Sequence, residues 1–453
     1  MRRTAVLVAY LFPPLGGVGV QRALNLCKYL PLQGYRVIVI TGPGSSASYW
    51  TPLDPTLGLV DACSEHVRVE RVSGPEPSRG ATGARLDRAL GRWSPVRRWF
   101  ADGAAEVARR LGEKVDVVLT ELGPYETALA GQRVASIVDA PLVVDLQDPW
   151  ALDEMWLHAT VLHRRLDRRR MKQVLFDADR VIMNTPEAAR RALAEFPDLH
   201  GRLTSIPNGY DEDDFKGPAP ERSDGRFRLV HSGSLHTEMG LRHRRTSWLR
   251  RALGGMPVPG VDFLSRSHYY LVAALELLAR EAPELAALID VHLVGVTTAI
   301  DLEIASRLPG VRVHGFVSHE ESVRLLRSAD LLFLPMHTLP PGMRAGLVPA
   351  KTYEYLAARR PILAAVPEGD VRDLLSESGA ATLVAPDDVE GLARALQTHV
   401  LGWREGRGSV PVSAAVLERL TYRRLTACVA HVLEHAAELC TRPLDVDGLL
   451  RAS

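Results

Sequence analysis

The feature that most limits the fold of this sequence is a regular alternation of short apolar runs with longer amphipathic stretches. In the first half, the apolar runs predict buried strands at residues 4–10, 35–41, 67–72, 115–120, 141–145 and 180–184. The stretches between them have the length and period of helices, beginning with residues 19–32. Strands that alternate with helices form parallel sheets covered by helices on both faces.

The same alternation starts again after a segment with the composition of a linker. Residues 206–209, Ile-Pro-Asn-Gly, are a turn signal, and residues 216–220, Lys-Gly-Pro-Ala-Pro, are typical of a linker. Apolar runs beyond it predict strands at residues 228–232, 290–294, 311–314, 331–334, 361–365 and 382–384. Two sheets predict two domains, and 453 residues suit two cores of about 200 residues each.

The predicted N-terminal domain spans residues 1–210 and the C-terminal domain residues 211–410. We expect the last helix, at about residues 413–440, to pack back onto the first domain. Residues 236–264 are rich in Arg, Gly and Pro and predict an insertion, while residues 73–95 predict a loop.

Composition excludes several classes of protein. A net charge of +1 provides no field for nucleic acid, and 46% hydrophobic residues are ordinary for a globular chain. The four cysteines lack metal-ligand or redox spacing, which favours a reduced, cytoplasmic protein. No apolar run reaches the roughly 18 residues of a membrane span. Residues 93–100 could contact a membrane surface, but core packing is the favoured interpretation.

A glycine-rich loop follows the first predicted strand. Its glycines, Gly16, Gly17 and Gly19, allow close approach of the backbone to a ligand, and the next helix begins with N–H groups suited to a phosphate. The loop is neither a dinucleotide-binding fingerprint nor a P-loop, and a plain strand-to-helix turn is the alternative.

A second candidate lies at residues 348–357, after a Pro- and Gly-rich loop that itself follows a strand. Pro349 suits a helix start, and Lys351 and Glu354 are three residues apart, hence on one face. The Glu could accept two ribose hydroxyls, and the Lys could neutralise a diphosphate. An exposed ion pair within the helix is the alternative, but ligands of open α/β sheets bind at strand carboxyl ends.

These residues carry a resemblance to a known family. The segments that match it, in order along residues 4–400, are Tyr10–Gly19 with Arg22, Asp145–Trp150, Ile206–Asp211, His314–Ser318 and Pro349–Tyr355. Together they resemble family 4 glycosyltransferases of the GT-B fold. The last segment, Pro-x-Lys-x-x-Glu-Tyr, resembles a branch that acts in surface polysaccharide and natural-product glycosylation.

The resemblance implies an α/β protein of two Rossmann-like domains facing each other across a cleft. It implies a nucleoside diphosphate sugar as donor, UDP-linked by our expectation, in the C-terminal domain. A small-molecule or glycolipid acceptor would bind mostly in the N-terminal domain, and the reaction would retain the anomeric configuration. No cofactor, metal ion or nucleic-acid partner is implied.

The resemblance also suggests site residues. The donor set is Gly17, Gly19, Ser234, Arg266, Gly315, Phe316, Val348, Lys351 and Glu354. The acceptor set is Gly16, Asp145 and Asp148, with Asp148 and Lys351 as the catalytic candidates. Capping of a strand end is the alternative role for the two aspartates.

The chain departs from the family pattern in ways that bear on activity. The first Glu of the family's E-x(7)-E motif is Gly346 here, and its two diphosphate-binding cations are replaced by Ser234 and Met239. Burying two phosphate charges without a cation is costly. We therefore expect Lys351 and one or more of Arg242, Arg244, Arg245 or Arg266 to substitute for them.

Other polar clusters are weaker candidates. Residues 211–214, Asp-Glu-Asp-Asp, contain an Asp-x-Asp that could bind metal, but a solvated acidic loop is favoured. His231, His236, His243 and His268 share no metal-site spacing. The Arg-rich runs at 164–170 and 242–251 are interpreted as solvated helix faces.

Two other functions stay open at this point. A nucleotide-sugar epimerase shares the two-domain fold and needs no acceptor. A catalytically silent protein that binds sugar nucleotides would fit the loss of Glu at position 346 and of the two cations.

Overall fold

The computed structural model of the chain describes residues 2–44, 53–54, 65–74, 76–77, 86–87, 90–245, 253, 258–407 and 412–438. Parts of the predicted loop 73–95, of the predicted insertion 236–264 and of the predicted helix 413–440 lie outside those residues. The chain divides into an N-terminal unit, residues 1–208, 249–257 and 421–453, and a C-terminal unit, residues 209–248 and 258–420.

The N-terminal unit contains a parallel sheet of seven strands in the order β3-β2-β1-β4-β5-β6-β7. The strands are β1 (Arg3–Ala9), β2 (Tyr35–Thr41), β3 (Val67–Arg71), β4 (Val117–Glu121), β5 (Leu142–Leu146), β6 (Arg180–Met183) and β7 (Leu203–Ser205). The helices are α1 (Val18–Tyr29), α2 (Pro95–Arg109), α3 (Thr127–Val138), α4 (Val161–Asp177) and α5 (Pro186–Glu195).

The C-terminal unit contains a parallel sheet of six strands in the order β10-β9-β8-β11-β12-β13. The strands are β8 (Phe227–Ser232), β9 (Ile289–Val294), β10 (Val311–Gly315), β11 (Leu331–Pro335), β12 (Ile362–Ala365) and β13 (Ala381–Val384). The helices are α6 (Thr237–Arg244), α7 (Tyr269–Glu281), α8 (Pro283–Ala286), α9 (Ala299–Ala305), α10 (His319–Arg327), α11 (Lys351–Ala357), α12 (Asp370–Ser378), α13 (Val389–Arg404) and α14 (Ala414–Arg419).

The last described helix, α15 (Tyr422–Ala437), belongs to the N-terminal unit. Its apolar side chains share a buried cluster with α1 and one face of the seven-stranded sheet. The other face packs on α2, α3, α4 and α5. Strands covered on both sides are apolar at nearly every position, which is why the sequence shows them as continuous apolar runs.

Strand order reverses once in each sheet. In the N-terminal unit β1 lies between β2 and β4, and in the C-terminal unit β8 lies between β9 and β11. Successive connections on the two sides of β1 and of β8 therefore run in opposite directions. The carboxyl ends beside such a reversal are the usual ligand positions of open α/β sheets.

The predicted strands agree with the structure to within two residues at each end. The prediction missed β7, which has only three residues and a single large apolar one, Leu203. The first helix ends at Tyr29 rather than 32, because Leu30–Gln33, with Pro31, continue as a 3-10 turn. Among the described residues, none of the helices combines the length and apolar character that crossing a bilayer requires.

Candidate active site

Three glycine turns lie side by side at the carboxyl edge of the C-terminal sheet. Gly233, Gly295 and Gly315 follow or end β8, β9 and β10 with φ values of 109°, 128° and 72°. Gly233 donates its N–H to the carbonyl of Val294, and Gly295 donates to that of Gly315, each at 2.8 Å. A Cβ on Gly295 would lie 2.8 Å from the Gly233 oxygen. This row of turns therefore depends on backbone without side chains.

The Lys351 ammonium lies directly over the first of these turns. A Cβ added to Gly233 would be 2.5 Å from Lys351 Nζ, so the glycine leaves the space that the amine fills. Nζ is also 3.3 Å from Nε2 of the buried His231. His231 Nδ1 lies 3.0 Å from the Phe333 carbonyl, which can only accept, so Nδ1 carries the proton. The lone pair of Nε2 consequently faces the ammonium.

Electrostatics at Lys351 are unusual for a lysine. Burial and, to a smaller extent, the nearby Arg266 lower its pKa, and Glu354 acts in the opposite direction, so that the pKa is about 7. Burial and the charge of Lys351 hold the pKa of His231 well below its ordinary value, so His231 is neutral. Lys351 forms no ion pair with a carboxylate in the described part of the chain. A positive group without a counter-ion is suited to an anionic ligand.

Arg266 is the second cation of this neighbourhood. Burial lowers the pKa of His236 well below its ordinary value, and Arg266 and Lys351 lower it further, so the three groups lie close together. The backbone N–H of His236 also donates to the backbone carbonyl of Arg266 at 3.1 Å. Arg244, by contrast, pairs with Asp262 at 2.5 Å. Arg242 and Arg245, the other substitutes suggested by the sequence, are exposed on or just after α6.

Glu354 lies in the same helix as Lys351 and is half-buried. Burial raises its pKa, while His319 lowers it and Asp214 raises it. His319 Nε2 and Asp214 Oδ2 are 2.8 Å apart. The Glu354 carboxylate accepts no hydrogen bond from any residue that the structure describes, so it is available to ligand hydroxyls.

Sequence reasoning missed this partnership. It assigned Asp214 to a solvated acidic loop and did not single out His319. The structure corrects the first assignment, because Asp214 holds His319 beside Glu354. In the described ranges no group of three or more His, Cys, Asp or Glu side chains is arranged to hold a metal ion.

The remaining donor candidates of this unit lie along the same edge. Ser234 follows Gly233, and Val348 is buried in the loop that precedes α11. Gly315 belongs to the row of glycine turns, and Phe316 after it is 40% exposed. The structure thus brings the donor candidates of the C-terminal unit to the reversal point of its sheet or to the neighbouring strand ends.

The glycine loop of the N-terminal unit follows β1 at the reversal point of the other sheet. Gly17, with a φ of 95°, precedes α1, and no side chain caps its N–H groups. Gly19 faces Leu11, whose Cδ1 would be 3.0 Å from an added Cβ. Gly16 is buried. Their roles toward a ligand stay predictions.

Asp145 requires a correction. Its carboxylate is fully buried and contacts Arg22 twice, from Nε to Oδ2 at 2.6 Å and from Nη2 to Oδ1 at 3.1 Å. Arg22 also donates to the carbonyl of Pro207 at 2.8 Å. Asp145 therefore ties α1 to β5 and to the turn at 206–209 instead of facing an acceptor. Asp148, three residues later, is exposed and keeps its candidate role.

A buried acid that the sequence analysis did not identify lies next to this pair. Glu121 ends β4, is 2% exposed and is paired in register with Asp145. Neither of its carboxylate oxygens has a hydrogen-bond partner among the residues that the structure describes. Burial and the Asp145 charge raise its pKa and Arg22 opposes them, so that the pKa is about 8. Glu121 is therefore protonated at neutral pH.

Comparison with known families defines the class of protein. Residues 16–209 match the family model described as Glycosyl transferase 4-like domain, and residues 259–400 match Glycosyl transferases group 1. No curated protein sequence matches the chain. The chain carries both domains of a GT-B glycosyltransferase, and this is the class to which it belongs.

Solved structures with the same architecture include three that cover nearly all of this chain. HepE from Anabaena, in complex with UDP and glucose, is 16% identical with a TM-score of 0.60, over 96% of this chain and 100% of that one. The trehalose 6-phosphate synthase from Burkholderia multivorans is 13% identical, with a TM-score of 0.58 over 97% and 100%.

A putative UDP-N-acetylglucosamine 2-epimerase from Listeria monocytogenes is 10% identical, with a TM-score of 0.56 over 98% and 99%. Likeness at these identities establishes the fold, and the predicted α/β class of two Rossmann-like GT-B domains is confirmed.

The buried Glu121 predicts a specific pH dependence of stability. Its pKa is about 8 in the folded chain and near 4.5 when unfolded, so the unfolded state alone ionises between those values. Stability is then lost as pH rises through this window, by an amount on the order of 2–5 kcal/mol. Glu121→Gln, which cannot ionise, should flatten this part of the profile.

Thermal unfolding of both proteins at several pH values measures the effect. Glu106→Gln, at an exposed position of α2, is the matched control and should leave the profile unchanged. Parallel pH profiles for the wild-type protein and Glu121→Gln would contradict the assignment of a buried, protonated Glu121.

Proposed function

We propose that this glycosyltransferase moves a sugar from a nucleoside diphosphate sugar to a hydroxyl group of an acceptor, with retention and without a metal ion. The observation that carries the proposal is the Lys351 ammonium, which lies over Gly233 beside Arg266 without a carboxylate partner. A diphosphate is the kind of ligand that such a pair of cations favours.

The departing diphosphate supplies the negative charge for these cations. Lys351 and Arg266 take the place of the two family cations that this chain lacks at Ser234 and Met239. The structure gives α11 only seven residues, so our proposal relies on the ammonium itself and not on a helix dipole. Fixed charges that meet the leaving group stabilise it as its charge grows.

Glu354 completes the proposed donor site. Its open carboxylate accepts the ribose hydroxyls, and the His319–Asp214 pair lies close enough to act on its charge. The Anabaena protein HepE was solved with UDP, which supports a UDP-linked donor for this chain. Gly17 and Gly19, at the start of α1, stay donor-binding candidates on the basis of the sequence resemblance.

The acceptor is assigned to the N-terminal unit, with Gly16 and the exposed Asp148 as its contacts. In the reaction the bond from the anomeric carbon to the diphosphate breaks, and a bond to the acceptor oxygen forms on the same face. The acceptor proton passes to the departing phosphate. The resemblance at Pro349–Tyr355 supports a surface-polysaccharide or natural-product acceptor, either a small molecule or a glycolipid.

A nucleotide-sugar epimerase is the second candidate. Likeness to the Listeria epimerase favours it. An epimerase converts the donor to an isomeric nucleotide sugar without an acceptor, whereas a transferase releases the nucleoside diphosphate in step with glycosylated acceptor.

Turnover of UDP-sugars, followed by chromatography with and without an acceptor panel, tests the function and its metal requirement together. We expect acceptor-dependent release of UDP that persists in excess EDTA, since no described carboxylate cluster is placed to hold a cation. A complete loss in EDTA that manganese or magnesium restores would overturn metal independence. Isomerised donor without acceptor would favour the epimerase.

Glu354→Ala tests the donor site through binding alone. Losing a carboxylate that accepts ribose hydroxyls should weaken UDP-sugar binding by about 1–3 kcal/mol in calorimetry. Glu320→Ala, at an exposed position of α10, is the matched control and should bind normally. Equal affinities for the Glu354 variant and the wild-type protein, with both folded, would exclude this role.

Lys351→Ala tests the leaving-group contact. Because the charge on the diphosphate grows in the transition state, kcat should fall by roughly a hundredfold. KM should rise by a smaller factor. Lys351→Arg should recover part of the loss, since the guanidinium keeps the charge but not the shape. Lys114→Ala, an exposed lysine, is the control. A near-normal kcat in the alanine variant would reassign the role to Arg266.

A pH series separates this contact from a structural one. With the pKa of Lys351 at about 7, donor affinity should weaken as pH rises through that value, because only the protonated amine attracts a diphosphate. Lys351→Arg stays charged and should lose this dependence. The same pH dependence in both proteins would contradict the proposed contact.

A further inference from the structure

One face of α4 carries exposed positive charge next to an exposed leucine. Leu162, Arg165, Arg169 and Lys172 are spaced by three or four residues, hence lie along one side of the helix, and all four are exposed. Leu162 is 71% exposed, whereas Met171, Val174 and Leu175 bury the opposite side. We call these four residues the basic face.

The charges of the basic face are not neutralised within the described chain. Arg165 and Arg169 form no ion pair with any described residue. On the flanks of the same helix, Arg168 pairs with Glu195 at 2.5 Å and Arg170 with Asp167 at 3.1 Å. Like charges spaced three or four residues apart destabilise a helix, so an external anion would relieve the repulsion.

Two more apolar side chains are exposed in the segment that precedes the helix. Trp156 and Leu157 are 40% and 44% exposed. His158 lies 3.2 Å from Asp167, which holds this segment against α4, and Trp156 rests edge-on against Tyr125 at 5.6 Å. Asp167 lies on the other side of α4 from the basic face, so these contacts do not place Trp156 and Leu157 on that face.

We propose that the basic face binds the surface of a membrane that contains anionic lipids. Helices of this kind insert their apolar residues at the headgroup boundary while their cations meet lipid phosphates. An acidic protein would pair with the cations but would not require the exposed Leu162 beside them. Such binding would be peripheral, and it would be independent of the proposed transfer reaction.

The segment that the sequence suggested for membrane contact is not the one that the structure favours. Phe100 is buried in the core, and Trp93 is covered by the guanidinium groups of Arg97 and Arg170 at 4.5 and 4.7 Å. Core packing, the favoured interpretation of residues 93–100, agrees with these contacts. The Arg-rich run 164–170, interpreted from the sequence as a solvated face, contains the stronger candidate.

Cosedimentation of the full chain with vesicles tests the proposal without reference to activity. We expect binding to mixed phosphatidylcholine–phosphatidylglycerol vesicles, weakened by salt, and little binding to phosphatidylcholine alone. Arg165→Glu with Arg169→Glu should weaken partitioning on the order of tenfold or more. Leu162→Ser keeps the charge and should also weaken binding, most visibly at high salt.

Arg109→Glu with Arg110→Glu makes the same charge change at the exposed last residue of α2 and the exposed residue after it, and is the matched control. Circular dichroism checks that each variant is folded, and Arg165→Gln with Arg169→Gln provides a milder substitution. Failure of the wild-type protein to bind anionic vesicles would overturn the proposal. So would equal loss in the α2 control, or full binding by Leu162→Ser together with competition by polyglutamate, which would indicate an acidic protein partner.

Discussion

The reversal of strand order beside β1 and beside β8 is the constraint on which the candidate site depends. Because neighbouring connections leave these points in opposite directions, the carboxyl edge there is not covered by a crossing chain. In the C-terminal unit this brings Gly233, which follows β8, against Lys351, which follows β11 and its long loop. Residues more than a hundred positions apart thus meet through topology alone.

Two buried cations show how a structural charge differs from one suited to a ligand. Arg22 donates to both oxygens of Asp145 and to the carbonyls of the 206–209 turn. Burial lowers the pKa of Arg22, but the attraction to Asp145 opposes burial, and the pKa of Arg22 is raised overall. Lys351 contacts a neutral imidazole and forms no ion pair with a described carboxylate, and burial lowers its pKa. Burial without a counter-ion costs free energy. Binding of an anion removes that cost for Lys351, whereas for Arg22 the chain already supplies the anion.

The sequence predicted what depends on short-range pattern. Parallel strands buried on both faces appear as apolar runs, and the helical spacing of Lys351 and Glu354 places them on one side of α11. Long-range partners were not predictable in this way. Arg22 and Asp145 are 123 residues apart, and His319 and Asp214 are 105 apart. Only the fold decides that Arg22 and Asp145 are buried and bind each other. The fold also places His319 and Asp214 beside the Glu354 carboxylate, which is available to a ligand.

The same argument applies to the departures from the family pattern, which on sequence alone suggested a silent protein. For the proposed reaction a cation is required near the carboxyl end of β8, but it does not have to come from the loop there. A Cβ at position 233 would collide with Lys351 Nζ, so the glycine leaves the room that the amine needs. Ser234, the next residue, is uncharged and supplies no cation of its own. The glycine and the lysine therefore act as a pair, in which the loop provides room and α11 provides the charge. A site that keeps a poorly neutralised amine at this point retains the electrostatics that a departing diphosphate needs, and this argues for a working transferase in spite of Gly346.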